Sequence, residues 1–125
     1  MSPRPPLPLQ KSIVVAVRGV FVAFREERNL KLHMAAAGLV ILCGGFLAVS
    51  AVEWLILFTV IGLTVTAELL NSAIEAVVDL ASPAQHELAA KAKDIAAGAV
   101  LVAALFSAGI GLGIFVPRLL VLLSR

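Results

Sequence analysis

The chain has 125 residues, of which 61% are hydrophobic and 14% are charged, and its mean hydropathy is +1.05. This composition excludes an ordinary water-soluble domain, which would carry far more polar residues. The formal charge of +2, without any basic groove interleaved with aromatic residues, argues against a nucleic-acid partner. We therefore expect one membrane-embedded, all-α domain.

The N-terminal part of the chain precedes the long apolar segments. Residues 1–10 carry four prolines, which predict a disordered tail. Residues 11–28 predict an amphipathic helix, because Lys11, Arg18 and Arg25 recur every seven residues and so share one face. We expect this helix to lie in the headgroup layer with its cations toward anionic membrane lipids. An ordinary helix packed on the bundle is a compatible alternative.

Three apolar stretches follow, each long enough to cross a bilayer. A short turn at Ala51–Glu53 is expected between the first two, and Trp54 then begins the second at an interfacial depth. Ser82-Pro83 opens a loop, a new helix begins near His86 or Glu87, and Pro117 marks the far end of the third stretch. Together with the surface helix they form a single domain over 11–125. The predicted spans are about 32–50, 54–79 and 95–116.

Basic residues are distributed unequally about these spans. Arg118 and Arg125 lie beyond the third span, whereas the other eight lie in the N-terminal segment and the second loop. The positive-inside rule therefore places the N-terminus in the cytoplasm and the C-terminus outside. The eight residues are Arg4, Lys11, Arg18, Arg25, Arg28, Lys31, Lys91 and Lys93.

A polar stripe marks the second span. Glu68, Asn71, Glu75 and Asp79 are spaced so that they fall on one helical stripe about 60° wide, which Thr64 extends by one turn. Counting about 20 residues from the start of the span places Glu68 and Asn71 just inside the hydrocarbon boundary. An acid at that depth is expensive and usually marks a functional site.

The remaining charges converge on the cytoplasmic membrane surface. Mg²⁺ takes one or two carboxylates together with phosphate oxygens, and a nearby Lys would pair with the phosphates, so the cluster suits a magnesium–nucleotide site. Glu68 lies deeper and could reach only a molecule that itself lies in the bilayer. No phosphate-binding glycine loop followed by Lys occurs in the chain. The clustered residues are Glu26, Glu27, Glu75, Asp79, His86, Glu87, Lys93 and Asp94.

Several segments together resemble a known family. The run Glu68–Asp79, with His86-Glu87-Leu88 and Ala92-Lys93-Asp94, is similar to the prokaryotic diacylglycerol kinases, which are small integral membrane kinases of the bacterial inner membrane. Phe24–Asn29 and Val78–Pro83 are most similar to its undecaprenol kinase branch. The resemblance implies a homotrimeric helical bundle with active sites at subunit contacts. It also implies ATP- and Mg²⁺-dependent phosphorylation of a lipid hydroxyl.

The resemblance also implies roles for individual residues by position. Glu68 matches the general base, and Glu27 and Glu75 match the magnesium ligands beside the nucleotide. The residues that match the nucleotide contacts are Asn71, His86, Lys93 and Asp94.

Two departures bear on the lipid acceptor. Ala84-Gln85 stands where the diacylglycerol branch commonly has Glu-Tyr, and Ala97 stands where that branch commonly has Ser. These differences favour undecaprenol as the acceptor over the alternative, diacylglycerol.

Structural alternatives stand beside these roles. Glu68 could be a core acid hydrogen-bonded to Asn71, and Glu75 could form a salt bridge with Lys93. Either of the adjacent acids Glu26 and Glu27 could be merely solvated, as could His86, and His33 is more typical of an interfacial residue than of a ligand. A small oligomeric ion or proton pore lined by Glu68 is the non-enzymatic alternative, although a pore would place polar residues along whole spans.

Overall fold

The computed structural model describes residues 8–82 and 86–124, and every regular element in those ranges is a helix. Three of the helices are long and apolar enough to cross a membrane, namely α2 (Arg28–Phe46), α3 (Ala51–Ala81) and α4 (Glu87–Leu123). The expectation of an all-helical chain with three candidate spans is confirmed. Helix α1 covers Leu9–Glu26, α2 Arg28–Phe46, α3 Ala51–Ala81 and α4 Glu87–Leu123.

Some of the expectations from the sequence concern residues outside the ranges 8–82 and 86–124. Most of the predicted tail 1–10 lies outside the described residues, as do Arg4, Pro83, Ala84, Gln85 and Arg125.

The turn between α2 and α3 lies at 47–50, so the prediction of a turn at Ala51–Glu53 was wrong. Ser50 caps α3, because its hydroxyl accepts a hydrogen bond from the Glu53 amide at 3.3 Å. The Glu53 carboxylate in turn accepts from the Ser50 amide at 2.6 Å. This reciprocal capping box makes Ala51–Glu53 the first turn of the helix.

The third apolar stretch belongs to a longer helix than its composition predicts. Pro117 does not end α4, which continues to Leu123. Proline removes one backbone donor and crowds the carbonyl four residues earlier, which favours a break in a soluble helix. Membrane helices tolerate proline because neighbouring groups can satisfy the freed backbone atoms.

A single residue, Glu27, joins α1 to α2. Its backbone is extended, with φ −88° and ψ 117°, so α1 ends at Glu26 rather than at the predicted position 28. The Lys31 ammonium reaches back across the junction and donates to the Arg25 carbonyl at 2.7 Å. The junction therefore holds Glu27 at the cytoplasmic end predicted for the bundle.

Helix packing is centred on α3. It makes its most extensive contact with α4 and a smaller one with α2, whereas α2 and α4 barely touch each other. Leu30, Leu57 and Glu68 are the most deeply buried large side chains. Many large apolar side chains on the three long helices are exposed, as expected where lipid or other subunits surround a chain.

Arg118 clamps the opposite end of the bundle. Its guanidinium donates to the carbonyls of Leu47 at 3.2 Å and Ala48 at 3.1 Å, and to the Glu53 carboxylate at 2.5 Å. These bonds tie α4 to the turn between α2 and α3, where Ala48 has a positive φ of 49°. Charge-assisted hydrogen bonds of this kind are stronger than neutral ones.

Replacing Arg118 by Gln is expected to lower the apparent melting temperature of the detergent-solubilised protein by several degrees. The change leaves the Glu53 carboxylate and two turn carbonyls without their shared donor, and unpaired polar groups destabilise a fold. Thermal unfolding followed by circular dichroism measures the shift. Lys91→Gln, which removes an exposed cation from the same helix, is the control. Equal shifts in both variants would contradict the clamp.

Candidate functional site

The polar stripe of α3 passes from buried to exposed along the helix. Thr64, Glu68 and Asn71 are buried, and only 1% of the Glu68 surface is accessible. Glu75 is half-buried and Asp79 is exposed. The five positions recur at helical spacing and therefore share a face of α3. Along this face the Glu68 carboxylate is covered by protein, whereas the side chains of Glu75 and then Asp79 are increasingly exposed.

Glu68 lies among groups from two other parts of the chain. The titratable groups that influence its carboxylate electrostatically are His33 on α2, Glu27 at the α1–α2 junction and Glu75 further along α3. The side chain of Asn29 on α2 also lies near the Glu68 carboxylate. Because carboxylates held together disfavour one another's charge, the arrangement suits a bound cation.

Two of these neighbours did not stand out in the sequence. Asn29 entered only as part of a matching segment, and His33 was interpreted as interfacial. The two residues are four apart, so they share one face of α2. Asn29 follows Glu27 by two residues, and His33 follows Asn29 by four. This spacing is the sequence pattern that could have indicated both residues as neighbours of the acids.

Asn71 pairs with Glu75, and not with Glu68 as the structural alternative proposed. Its side-chain amide donates to Glu75 Oε1 at 3.1 Å. Its carbonyl oxygen, Oδ1, is buried and has no hydrogen-bond partner among the described residues. A buried polar atom left unpaired is costly, so this oxygen is available to a further group.

Lys93 is held by Asp79, and not by Glu75 as the structural alternative proposed. The ammonium lies 2.7 Å from Asp79 Oδ1 and links α4 to the exposed end of the α3 stripe. More than a third of the Lys93 side chain remains exposed, at 37%. A surface ion pair adds little stability, so its main effect is to hold the cation at this end of the bundle.

His86 and Asp94 stand apart from these contacts. His86 is the N-cap of α4, where its Nδ1 accepts a hydrogen bond from the Leu88 amide at 3.1 Å. Asp94 is exposed and makes no hydrogen bond or ion pair within the described part of the chain. The structure thus places Glu27 and Glu75 within electrostatic reach of Glu68, whereas His86 and Asp94 make no contact with these acids.

The donor atoms of the cluster fit a hard divalent cation. Within 8–82 and 86–124, no three His, Cys, Asp or Glu side chains are close enough to hold a metal by themselves. Mg²⁺ does not require such a set, because it binds through one or two carboxylates, phosphate oxygens and water. Glu27, Glu75 and the unpaired Asn71 oxygen provide oxygen atoms of that kind.

Comparison with known proteins identifies the family. The family described as prokaryotic diacylglycerol kinase matches residues 14–115, which include all four helices in whole or in part. The chain belongs to this family. As a prokaryotic diacylglycerol kinase family member with three candidate spans, it is a multi-pass bacterial membrane protein.

Relatives of this family member carry two names. The undecaprenol kinase of Bacillus subtilis is 50% identical over 109 residues, which are 87% of this chain and 89% of the relative. The diacylglycerol kinase of Synechocystis is 41% identical over 106 residues, or 84% and 61% of the two chains. The diacylglycerol kinase of Escherichia coli K12 is 36% identical over 86 residues, or 69% and 70%.

The diacylglycerol kinase family assignment makes the chain a lipid kinase. Its reaction requires a nucleotide as phosphoryl donor and a lipid as acceptor. The resemblance stated from the residues is therefore confirmed at the level of family and enzyme class.

Proposed function

We propose that this lipid kinase uses ATP and Mg²⁺ to phosphorylate the hydroxyl of undecaprenol, giving undecaprenyl phosphate. The choice of undecaprenol as the acceptor rests on the 50% identity to an undecaprenol kinase over most of both chains. Diacylglycerol, giving phosphatidic acid, is the second candidate because other relatives carry that name. The electrostatic influence of Glu27 and Glu75 on the buried Glu68 favours chemistry at this part of the bundle over a pore.

Glu68 is proposed as the general base. It takes the proton of the lipid hydroxyl while the hydroxyl oxygen bonds to the γ-phosphorus, and the bond from that phosphorus to the ADP oxygen breaks. Its burial at membrane depth supports this role, because a lipid hydroxyl reaches the same depth. Glu75 lies two turns away, about 10 Å along the helix axis, which leaves room for a nucleotide above the lipid.

Glu27 and Glu75 are proposed to hold Mg²⁺, which when bound neutralises charge on the phosphates. Asn71 fixes the Glu75 carboxylate through its amide N–H. The Lys93 ammonium, anchored by Asp79, would pair with phosphate oxygens. The remaining proposed nucleotide contacts are His86 and Asp94.

The assembly is proposed to be a homotrimer of one domain, 11–125, with active sites at subunit contacts. The family resemblance and the large exposed apolar surface of the three long helices support it. Helix α1 is proposed to lie on the cytoplasmic membrane surface. Lys11, Arg18 and Arg25 are exposed and share one face, which suits contact with anionic headgroups.

The N-terminus is expected in the cytoplasm and the C-terminus outside, because eight of the ten basic residues flank the cytoplasmic side. Single cysteines introduced by Ser2→Cys or Ser124→Cys, in a Cys43→Ala background, can be labelled in intact spheroplasts and in inverted vesicles. Impermeant maleimide should reach position 124 only in spheroplasts and position 2 only in inverted vesicles. Labelling of both positions from one side would contradict three spans.

The specificity constant kcat/KM is expected to be at least about tenfold higher for undecaprenol than for diacylglycerol. Ala97 is apolar where the diacylglycerol branch commonly offers a hydroxyl, so the site has fewer groups that recognise a glycerol backbone. Both lipids should be compared in the same mixed micelles, with Glu68→Gln protein as the blank. A clear preference for diacylglycerol would overturn the choice of acceptor while leaving the kinase assignment intact.

A further inference from the structure

Within 8–82 and 86–124, three links between polar side chains join α3 to α4, each at a different depth. Two are ion pairs, and the middle one is a contact of 2.7 Å between two hydroxyl oxygens. The steps between links are eleven and then fifteen residues along α3, and eleven and then fourteen back along α4. The steps match, so all three links belong to one antiparallel register, that is, one position of α4 along α3. The linked pairs are Glu53–Arg118, Thr64–Ser107 and Asp79–Lys93.

The apolar part of this contact does not fix the register by itself. Between the middle link and the Lys93 link, the buried side chains of α4 are Ala96, Val100 and Ala103. They recur at intervals of about one helical turn. A slide of α4 by one turn would therefore exchange one small apolar side chain for another against α3. The choice of register depends on the polar links.

The link through Lys93 does not choose its own partner. Glu75 precedes Asp79 by four residues, about 6 Å along the same face of α3. Either carboxylate can accept a hydrogen bond from an ammonium group. The observed pair is exposed, with 65% of the Asp79 side chain accessible, and a surface ion pair stabilises its geometry only weakly. The other two links must therefore decide which acid Lys93 meets.

The hydroxyl link, defined as the Thr64–Ser107 pair, has a partner at one level of α3. Thr64 is buried, and Ser107 also lies 3.2 Å from the Val60 carbonyl oxygen. One hydroxyl donates to the other, and the second donates to a helix carbonyl. A slide that brought Lys93 to Glu75 would move Ser107 to the level of the Val60 side chain, which has no hydrogen-bonding group. At membrane depth no water replaces the lost partner.

The Arg118 clamp opposes the same slide from the far end of the bundle. A shift of one turn would carry the guanidinium about 6 Å past Glu53. The charge-assisted bond to that carboxylate would then be lost. Glu53 and Glu75 are twenty-two residues apart on one helix, or about 33 Å along its axis. A contact at one end of α3 therefore bears on the position of a side chain at the other.

We propose that the hydroxyl link and the Arg118 clamp hold α4 in the register that keeps Lys93 on Asp79 and away from Glu75. The proposal rests on the proposed magnesium role of Glu75. In the slid register the ammonium would pair with the Glu75 carboxylate and compete there with Mg²⁺. Ser107 and Arg118 are thus positioning residues for the kinase reaction, although both lie far from the proposed phosphate contacts.

Distances between two spin labels measure the register without requiring turnover. The labels are attached at Val52→Cys and Lys91→Cys, both exposed positions, in full-length Cys43→Ala protein. The labelled protein is diluted with unlabelled protein in micelles, so that only distances within one chain contribute. The line between the labels runs mainly along the helices. A slide of α4 by one turn toward the start of α3 therefore shortens the distance by about 6 Å.

The Ser107→Ala/Arg118→Gln double variant is expected to show a second distance population, about 6 Å shorter than that of the parent protein. Ser107→Ala alone should show a smaller fraction of it, and this variant decides the test if the double variant fails to fold. Ser107→Thr restores the hydroxyl and should restore the parent distance. A single unchanged distance in the folded variants overturns the proposal.

Thr59→Val is the matched control for removal of a hydroxyl. Thr59 is exposed, and its hydroxyl donates to the Leu55 carbonyl of its own helix at 2.7 Å. The variant should keep the single parent distance. A shorter population of equal size in this control would show that any lost hydroxyl loosens the bundle, which also overturns the proposal.

Magnesium dependence connects the register with the proposed function. If half of the chains adopt the slid register, the Mg²⁺ concentration for half-maximal activity should rise about twofold, because only the remainder binds the metal. A shorter population with unchanged magnesium dependence would leave the register role in place and remove the metal role of Glu75. A raised magnesium requirement at an unchanged distance would overturn the register role and leave the proposed function.

Discussion

Replacement of Glu68 by Gln is expected to lower kcat by at least about a hundredfold while leaving MgATP binding nearly intact. Gln keeps the size of the side chain and its hydrogen-bonding capacity but cannot accept the hydroxyl proton. The loss should therefore appear in turnover and not in the affinity for nucleotide. Initial-rate kinetics with polyprenol and equilibrium binding of a fluorescent ATP analogue separate the two quantities.

A matched control distinguishes loss of the base from loss of a negative charge at the membrane surface. Glu87→Gln makes the same chemical change at an exposed position in the first turn of α4 and should leave kcat almost unchanged. If Glu68→Gln retained near-native turnover, Glu68 would be a structural acid and the general-base role would be withdrawn.

Glu75→Gln and Glu27→Gln are each expected to raise the Mg²⁺ concentration for half-maximal activity by about tenfold or more, the scale found when metal sites lose supporting groups. Each change removes a charged oxygen ligand that Mg²⁺ prefers. Activity should be measured against free Mg²⁺ at saturating nucleotide and lipid.

The neighbouring acid provides the control for the metal assignment. Glu26 precedes Glu27 in the chain but is exposed on the last turn of α1, so Glu26→Gln should leave the magnesium dependence unchanged. An equal shift in Glu26→Gln, or an unchanged dependence in both ligand variants, would remove the metal assignment to Glu27 and Glu75.

The length of the apolar runs and the periodicity of the polar residues predict much of this fold. Apolar runs of sufficient length predicted the three candidate spans, and the spacing of Glu68, Asn71 and Glu75 placed them on one face because an α-helix has a fixed turn. The predicted turn at Ala51–Glu53 was misplaced because Glu53 completes a capping box with Ser50 and therefore belongs to the first turn of α3. Local hydrogen bonding decided that boundary, and hydropathy does not report it.

The contacts between helices were harder to predict. Glu75 and Asp79 are one turn apart on the same stripe, so sequence spacing does not tell which of them Lys93 meets. That choice depends on how α4 is shifted along α3, and the structure selects Asp79.

The junction at Glu27 has a consequence for the energy of α2. Glu27 occupies the N-cap position, yet its side chain makes no capping hydrogen bond. Ser or Asp at such a position stabilises a helix by about 0.5–2 kcal/mol relative to residues that do not cap. The chain thus forgoes helix stability at the residue proposed to hold the metal. The uncapped first turn of α2 also places the positive end of its helix dipole beside Glu27, which favours the negative charge of that carboxylate.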